Sequence, residues 1–311
     1  MLAAKILQVQ DVEVIGVTCA TFFFGAAPGI KAGNTLSIPV HVLDIGAKHL
    51  EMLKRPVFGY GRQMNPCIDC HALMLQEAGR FMEEQGADFL FTGEVLGQRP
   101  MSQRRNALRS VENLAGFPGR ILRPLSARLL PPTIPEIEGL IDREQLLDIH
   151  GRSRKRQMAL AESYGITDYP QPGGGCVLTK EGFGKKLGAL LRLFPDAGAR
   201  EVELLKWGRH FLLPERSLCV IGRNETDNDR LQSLAESSDV LLRVADHPGP
   251  IGLLLPSPHF GKDLEAAVMA VIAYSDAPLS GLARVEWRHL GRTEIALQIN
   301  PGKHQLKRYQ I

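Results

Sequence analysis

Two cysteines three positions apart, Cys67 and Cys70, close the stretch Gly59-Tyr-Gly-Arg-Gln-Met-Asn-Pro-Cys-Ile-Asp-Cys-His71. Pro66 stiffens the entry, and an apolar-periodic segment from Ala72 to Gln85 follows directly. That order places Cys70 in or just before the first turn of a helix, where unpaired backbone N–H groups and the helix dipole favour a thiolate. A thiolate attacks electrophiles and binds metals. Cys176 ends a second motif, Gln171-Pro-Gly-Gly-Gly-Cys176, whose glycines let the backbone approach whatever the sulfur touches. We read Cys67, Cys70 and Cys176 as one site, catalytic or metal-binding. The C-x-x-C spacing is shared by zinc sites and redox dithiols, and a cysteine in a plain loop is simply a small apolar residue. Cys19 and Cys219 lie inside β-like apolar runs and read as core.

Composition bounds the rest. A chain of 311 residues exceeds the usual size of one domain, so two or three are expected. Apolar residues make up 44% and charged residues 23%, as in soluble globular proteins. No apolar run reaches the roughly 20 residues that cross a bilayer, and no secretory signal pattern is visible. Five cysteines are too few and odd in number for a disulfide scaffold, which fits a reducing cytoplasm and no membrane partner. The net charge of +3 does not by itself indicate nucleic acid. Local clusters say more: Arg104-Arg105 with Arg109, Arg152-x-Arg154-Lys155-Arg156, and Lys303 to Arg308. Each alone reads as a solvated face; three together favour a polyanion.

The elements that must position these residues follow from periodicity. Met1–Gln10 reads as a helix, Glu13–Cys19 as a buried parallel strand, Ser37–Leu43 as a second strand and Ala47–Lys54 as a helix. After the helix that ends at Gln85 comes a strand from Asp88 to Thr92. This alternation predicts an α/β layer with a parallel sheet, whose ligands bind beyond the strands' carboxyl ends. The loop Thr92–Ser102 and the loop after Cys19 lie at such ends. The first element being a helix leaves a central strand unaccounted for, so the expectation is a true start upstream of Met1. A Pro- and Leu-rich connection spans Leu122–Pro135, followed by helices at Ile134–Asp142, Arg143–His150, Ser153–Tyr164 and Phe183–Phe194. From about Pro195–Arg200 the pattern changes. Strands are expected at Glu201–Trp207, His210–Leu213, Ser217–Ile221 and Val240–Ala245, helices at Asn224–Glu236 and Asp263–Tyr274, and a terminal hairpin over Ala283–His289 and Glu294–Asn300. The expected division is residues 1–120, a helical connection over 121–196, and a smaller α+β domain over 197–311.

Taken together, Asn65-Pro66-Cys67-Ile68-Asp69-Cys70, Thr92-Gly93-Glu94-x-x-Gly97-Gln98 and Gly175-Cys176 resemble the PP-loop ATP-pyrophosphatase tRNA thiouridine synthetases, including the 2-thiouridine and 4-thiouridine branches. The resemblance covers about residues 1–190. It implies a Rossmann-like parallel sheet of PP-loop (HUP) type, with its first strand and its serine- and glycine-rich phosphate loop expected ahead of α-helical residues 1–10. It also implies a two-step reaction: ATP, with Mg2+, adenylates a carbonyl oxygen of a tRNA uridine, and an enzyme-held sulfur then displaces AMP. Cys70 and Cys176 match the pair that members share. Cys67 adds the third sulfur of members that hold a [4Fe-4S] cluster with one iron open to sulfide. Zn2+ on these cysteines plus His71 is the alternative, and would fill that open position. Thr18, Gly93, Glu94 and Gln98 are the implied nucleotide-side residues. No segment of the chain resembles a rhodanese or sulfur carrier, so sulfide or a persulfide carrier would be the external donor.

A second resemblance covers about residues 200–300. Gly208-Arg-His-Phe-x-Leu213, Val220-Ile-Gly-Arg-Asn-Glu-x-x-Asn228-Asp229-x-Leu231 and Asp246-His-Pro-Gly249 are similar to the RNA-binding domain of NFACT proteins, which work in ribosome quality control. That family's aromatic-histidine strand is replaced here by Asp239-Val-Leu-Leu-Arg243. The implied partner is tRNA or another structured RNA, with Arg104, Arg105, Arg154, Lys155, Arg209, Arg223 and Lys303 as phosphate-contact candidates. Arg223-Asn224 is equally a turn bonding its own backbone. The reading that unites both resemblances is an RNA-thiolating enzyme. Its alternatives are a non-catalytic RNA-binding protein with a degenerate synthetase domain, or a desulfidase acting on thiolated bases.

Overall fold

A computed structural model describes residues 1–169, 176–257 and 260–311. The described chain divides into two compact units, Met1–Thr179 and Lys180–Ile311. Gly175, and with it the glycine run before Cys176, lies outside the described residues.

In the first unit, α1 (Leu2–Gln8) buries Ala3, Ala4, Ile6 and Leu7 in a core with Val14, Val95, Leu122 and Leu146. β1 (Gly16–Ala20) pairs in parallel with β2 (Val40–Asp44), joined by α2 (Ala27–Leu36). α3 (Gly46–Lys54) and the long α4 (Cys67–Gln85) follow. β3 (Leu90–Phe91) pairs in parallel with β4 (Ile121–Leu122) across α5 (Arg105–Ala115). α6 (Ile134–Ile137) and α7 (Lys155–Ser163) complete the unit.

The coarse α/β reading stands, and both strand pairs of this unit are parallel, as expected. The parallel strands form two separate pairs, and no described strand joins β1–β2 to β3–β4. α2 was expected as loop because of its Gly and Pro. Pro28 sits in the first turn, where its missing N–H costs nothing. The helix expected over Ile134–Asp142 stops at Ile137, ahead of Gly139 at φ 75°. Arg143–His150 is only a single 3-10 turn at Arg143–Gln145, where the Asp142 carboxylate accepts from the Glu144 N–H; His150 instead bridges to Leu96.

The second unit opens with α8 (Glu181–Leu193) and α9 (Ala199–Leu204). α9 replaces the strand expected at Glu201–Trp207: the Glu201 carboxylate accepts from the Gly198 N–H at 2.7 Å and starts a helix. The chain then runs through β5 (Arg209–Leu212), β6 (Leu218–Ile221), α10 (Glu225–Leu234), β7 (Val240–Val244), β8 (Ile251–Leu255), α11 (Gly261–Ala273), β9 (Leu282–His289) and β10 (Arg292–Ile299). The six strands form one antiparallel sheet in the order β10-β9-β7-β8-β6-β5. α11 packs on it through Ala267, Ala270, Val271 and Ile272 against Cys219, Ile221, Leu242 and Leu254. Every residue of β6 is buried, so both of its faces are covered. No described helix is long and apolar enough to cross a membrane.

Candidate functional site

α4 begins at Cys67, which makes Cys70 its fourth residue. The Cys70 N–H already donates to the Pro66 carbonyl at 2.8 Å. Its sulfur lies 3.2 Å from Nε2 of His49 on α3. His49 is fully buried, flanked by the rings of Phe23 at 5.4 Å and Phe24 at 5.7 Å, and its Nδ1 has no hydrogen-bond partner. Burial drives the His49 imidazole down to a pKa of about 4, so it is neutral at pH 7. Burial also pushes the Cys70 thiol far up, and the neighbouring sulfurs of Cys176, Cys67 and Cys19 push the same way. This corrects the expected thiolate. Desolvation outweighs the helix dipole at the fourth residue, where the N–H groups of the turn are already partly used. A neutral imidazole at 3.2 Å is nonetheless placed to take the thiol proton when a reaction pulls it off.

The other sulfurs are held separately. Asn65 donates from Nδ2 to Cys67 Sγ at 3.2 Å, while its Oδ1 accepts from the Gln63 N–H. Gly61 is required here, because a Cβ would strike the Asn65 amide at 2.6 Å. Asp69, between the cysteines, is buried and accepts from the N–H groups of Val57 and Phe58, a purely structural strap. The Cys176 thiol is also pushed up, by burial first and by Cys67, while Arg99 acts the other way. Thus Cys67 and Cys176 both lie near enough to Cys70 to raise its thiol pKa, and Cys19, read from the sequence as core, does the same. Its place at the carboxyl end of a parallel strand was a usable signal. Nothing local marked His49. Only Cys219 is a core cysteine.

The ligand fit is a different matter. Among the described residues, no group of three or more His, Cys, Asp or Glu side chains is disposed to hold a metal ion. The thiols as they stand, with Cys70 against His49 and Cys67 against Asn65, do not fit a [4Fe-4S] cluster or Zn2+. His71 turns away to Glu94, Nδ1 to Oε1 at 2.9 Å.

Of the nucleotide-side candidates, Glu94 is a structural hub. It is buried, yet His71 and Arg123 hold its carboxyl below the usual range, and Thr92 Oγ1 donates to it as well. Arg123 is 3% exposed and pairs also with Glu112. Gln98 donates to Gln157 at 2.8 Å. Thr18 is covered by α2, where a Cβ at Gly29 would overlap it. Gly93 lines a cavity of about 270 Å³ with Leu125, Arg154, Gln157, Met158 and Tyr169. The Arg154 guanidinium lies 5.9 Å from the centre of the Tyr169 ring. Lys155 is the first residue of α7, Arg104 caps α5, and Arg105 donates to the Leu129 carbonyl.

In the second unit the structure brings together two candidates distant in sequence. Arg209 on β5 lies 4.7 Å, and Lys303 5.4 Å, from the centre of the Tyr274 ring at the end of α11. Two cations held at one aromatic ring suit phosphate contact beside a stacking surface. Arg308 over Tyr309, at 4.6 Å, extends the patch along the same C-terminal turn. Sequence reading missed Tyr274, which looks like any helix-ending aromatic. Arg223 does not join them. It forks onto Asp227 at 2.6 and 3.1 Å, and Asn224 Oδ1 caps α10 at the Asp227 N–H, so this motif is a self-bonded turn.

Residues 208–309 match the family model of the NFACT protein RNA binding domain. No curated protein matches the chain. Among solved structures, the C-terminal part of the fibronectin/fibrinogen-binding protein from Streptococcus suis aligns at 11% identity over 85% of this chain and 94% of that one, with a TM-score of 0.30. So slight a likeness carries no argument.

Proposed function

We propose that this chain binds RNA through residues 208–309 and that the thiols of its first unit transfer sulfur to a uridine of that RNA, in the manner of an ATP-dependent tRNA sulfurtransferase. The observation that carries the reading is that Cys70 faces the buried His49 with Cys67 and Cys176 near enough to act on its thiol, in a chain whose C-terminal third matches an RNA-binding domain family. ATP with Mg2+, when bound, would supply the adenylate that makes the carbonyl oxygen a leaving group; the cavity beside Gly93 is the candidate for its base. Cys70 attacks the outer sulfur of an external carrier's persulfide, the carrier's own thiolate leaves and takes up the Cys70 proton, and His49 Nε2 holds the thiol in place beforehand. The terminal sulfur attacks the activated carbon and AMP leaves. A second thiol, Cys176 or Cys67, then attacks the Cys70 sulfur, which releases the thiolated base and leaves a disulfide. A thiol reductant resets the pair. No step needs a cluster.

The high thiol pKa of Cys70 favours one competitor, an RNA-binding protein without chemistry. Purified protein, ATP, a persulfide donor and unmodified tRNA, followed by mass spectrometry of nucleosides, separates the two. Thiouridine should form with wild type and be lost in Cys70→Ser and Cys176→Ser, with RNA affinity unchanged in both. Thiolation that survives Cys176→Ser removes the paired-thiol mechanism. RNA binding without any thiouridine from wild type leaves the non-catalytic reading. Iron and acid-labile sulfide, measured on protein purified without oxygen, should be absent; three to four irons per chain, as a three-cysteine cluster would hold, would restore the cluster.

A further inference from the structure

β10 is the open edge of the six-stranded sheet. Edge strands in natural sheets are normally guarded by lysine, proline, a bulge or a covering segment. Among the described residues β10 has no lysine, proline, bulge or covering strand, and its two charges, Arg292 and Glu294, lie in its first half. Its pairing with β9 runs unbroken from Arg292–His289 to Ile299–Leu282, and its second half reads Ile-Ala-Leu-Gln-Ile, without charge, Gly or Pro. Ile295, Leu297 and Ile299 point to one face of the sheet and are 58, 68 and 52% exposed, and Leu282, opposite Ile299, is 67% exposed. Leu279 and Leu290 at the two ends of the hairpin are exposed as well. Isolated surface aliphatics need no explanation, but six on one hairpin mark an interaction surface. The uncharged second half of this edge offers nothing to a phosphate backbone, so RNA is not its occupant.

We propose that a second copy of this chain pairs with β10, strand to strand and antiparallel about a twofold axis, so that the two sheets continue as one. The sequence of β10 supports its own partner. Side chains alternate between faces, so the axis must pass through a residue to keep like faces together. With the axis at Ala296, Ile295 lies opposite Leu297 of the second copy, Thr293 opposite Ile299, Glu294 opposite Gln298, and Ala296 opposite itself. No like charges meet, and the aliphatic row becomes continuous across the seam. An axis at Ile295 sets Ile295 against itself and Leu297 against Thr293, but leaves Ile299 opposite the turn residue Gly291, outside the strand. One at Leu297 keeps the aliphatics opposed but shortens the overlap to residues 295–299. The Ala296 register is the longest that keeps every aliphatic residue paired with an apolar or β-branched neighbour, and it is isologous, as twofold dimers require.

The test uses the full chain. Sedimentation at micromolar concentration should give twice the 34.3 kDa chain mass. Leu297→Lys, which restores the missing guard charge at an exposed position, should weaken the dimer at least about tenfold without altering the circular dichroism spectrum. Ala296→Cys, a small substitution at a residue packed on the core, reads the register directly: mild oxidation should cross-link two copies through this position, above any background from the five native cysteines of wild type. A monomer at all concentrations overturns the proposal. So does a dimer indifferent to Leu297→Lys, or a dimer in which Ala296→Cys fails to cross-link, since face-to-face packing or an occupant elsewhere would then be responsible.

Discussion

His210, on β5, is 1% exposed, with Nε2 3.2 Å from the Leu204 carbonyl oxygen and Nδ1 without a partner. Burial, aided by the charge of Lys186, lowers its pKa from 6.5 to about 3. The lowered value means protons bind the unfolded chain more readily than the folded one. His210 therefore leaves stability intact above pH 6.5 and removes it as pH falls from 6.5 towards 3, by at most about 1.4 kcal/mol per pH unit. Both tryptophans, Trp207 and Trp287, lie in the second unit, so their fluorescence in urea reports this region alone. His210→Gln should flatten the acid limb relative to wild type; parallel limbs would place the titrating group elsewhere. The same competition between burial and local charge decides Cys70. Its position at a helix start was legible in Asn65-Pro66-Cys67, and its thiolate was inferred from that position. The high pKa was not legible, because it comes from α3 and from sulfurs that local sequence does not place nearby.

At the level of elements, α4 and α5 meet closely, and Gly79 is the reason they can. A Cβ at Gly79 would overlap the ring of Phe117, which packs with Ala72, Val111 and Ala115. Gly79→Ala should cost about 1–3 kcal/mol as overpacking, seen as a lower urea midpoint by far-ultraviolet circular dichroism. Phe117→Leu in the same chain should recover part of it. An unchanged midpoint would mean that Phe117 swings away freely. The apolar period of α4 was readable, as were β5, β6, β7, α10, α11 and the terminal hairpin. α2 and α5 were not. α2 carries Gly29 and Gly33, which read as loop but are there because β1 and β2 press close: a Cβ at Gly33 would overlap Val40. Packing demanded glycine where propensity argued against a helix.

For the molecule as a whole, a net charge of +3 gives no general attraction for RNA. On the proposed function, affinity comes from local cations, and Arg209 and Lys303 beside Tyr274 are the candidates. Their removal should therefore change the salt dependence in a countable way. Arg209→Ala and Lys303→Ala should each weaken binding across sequences and lower the slope of log affinity against log salt by roughly one. Arg223→Ala, whose guanidinium is engaged by Asp227, should leave that slope unchanged while weakening the cap of α10. An equal loss of slope in all three would make the whole surface, not the Tyr274 patch, the contact.

Sequence alone determined the chemistry on offer: three cysteines in motifs with restricted turns, a basic C-terminal segment, and an α/β part followed by a compact α+β part. These features rest on spacing of a few residues, where backbone geometry leaves few choices. Tertiary structure decided what the groups do. It set neutral His49 against Cys70, brought Cys19 to the thiols, tied Glu94 to Arg123 instead of leaving it open, split the parallel strands into two pairs and gathered Arg209 and Lys303 onto Tyr274. Each of these joins residues distant in sequence, and their protonation depends on burial, which no local pattern encodes.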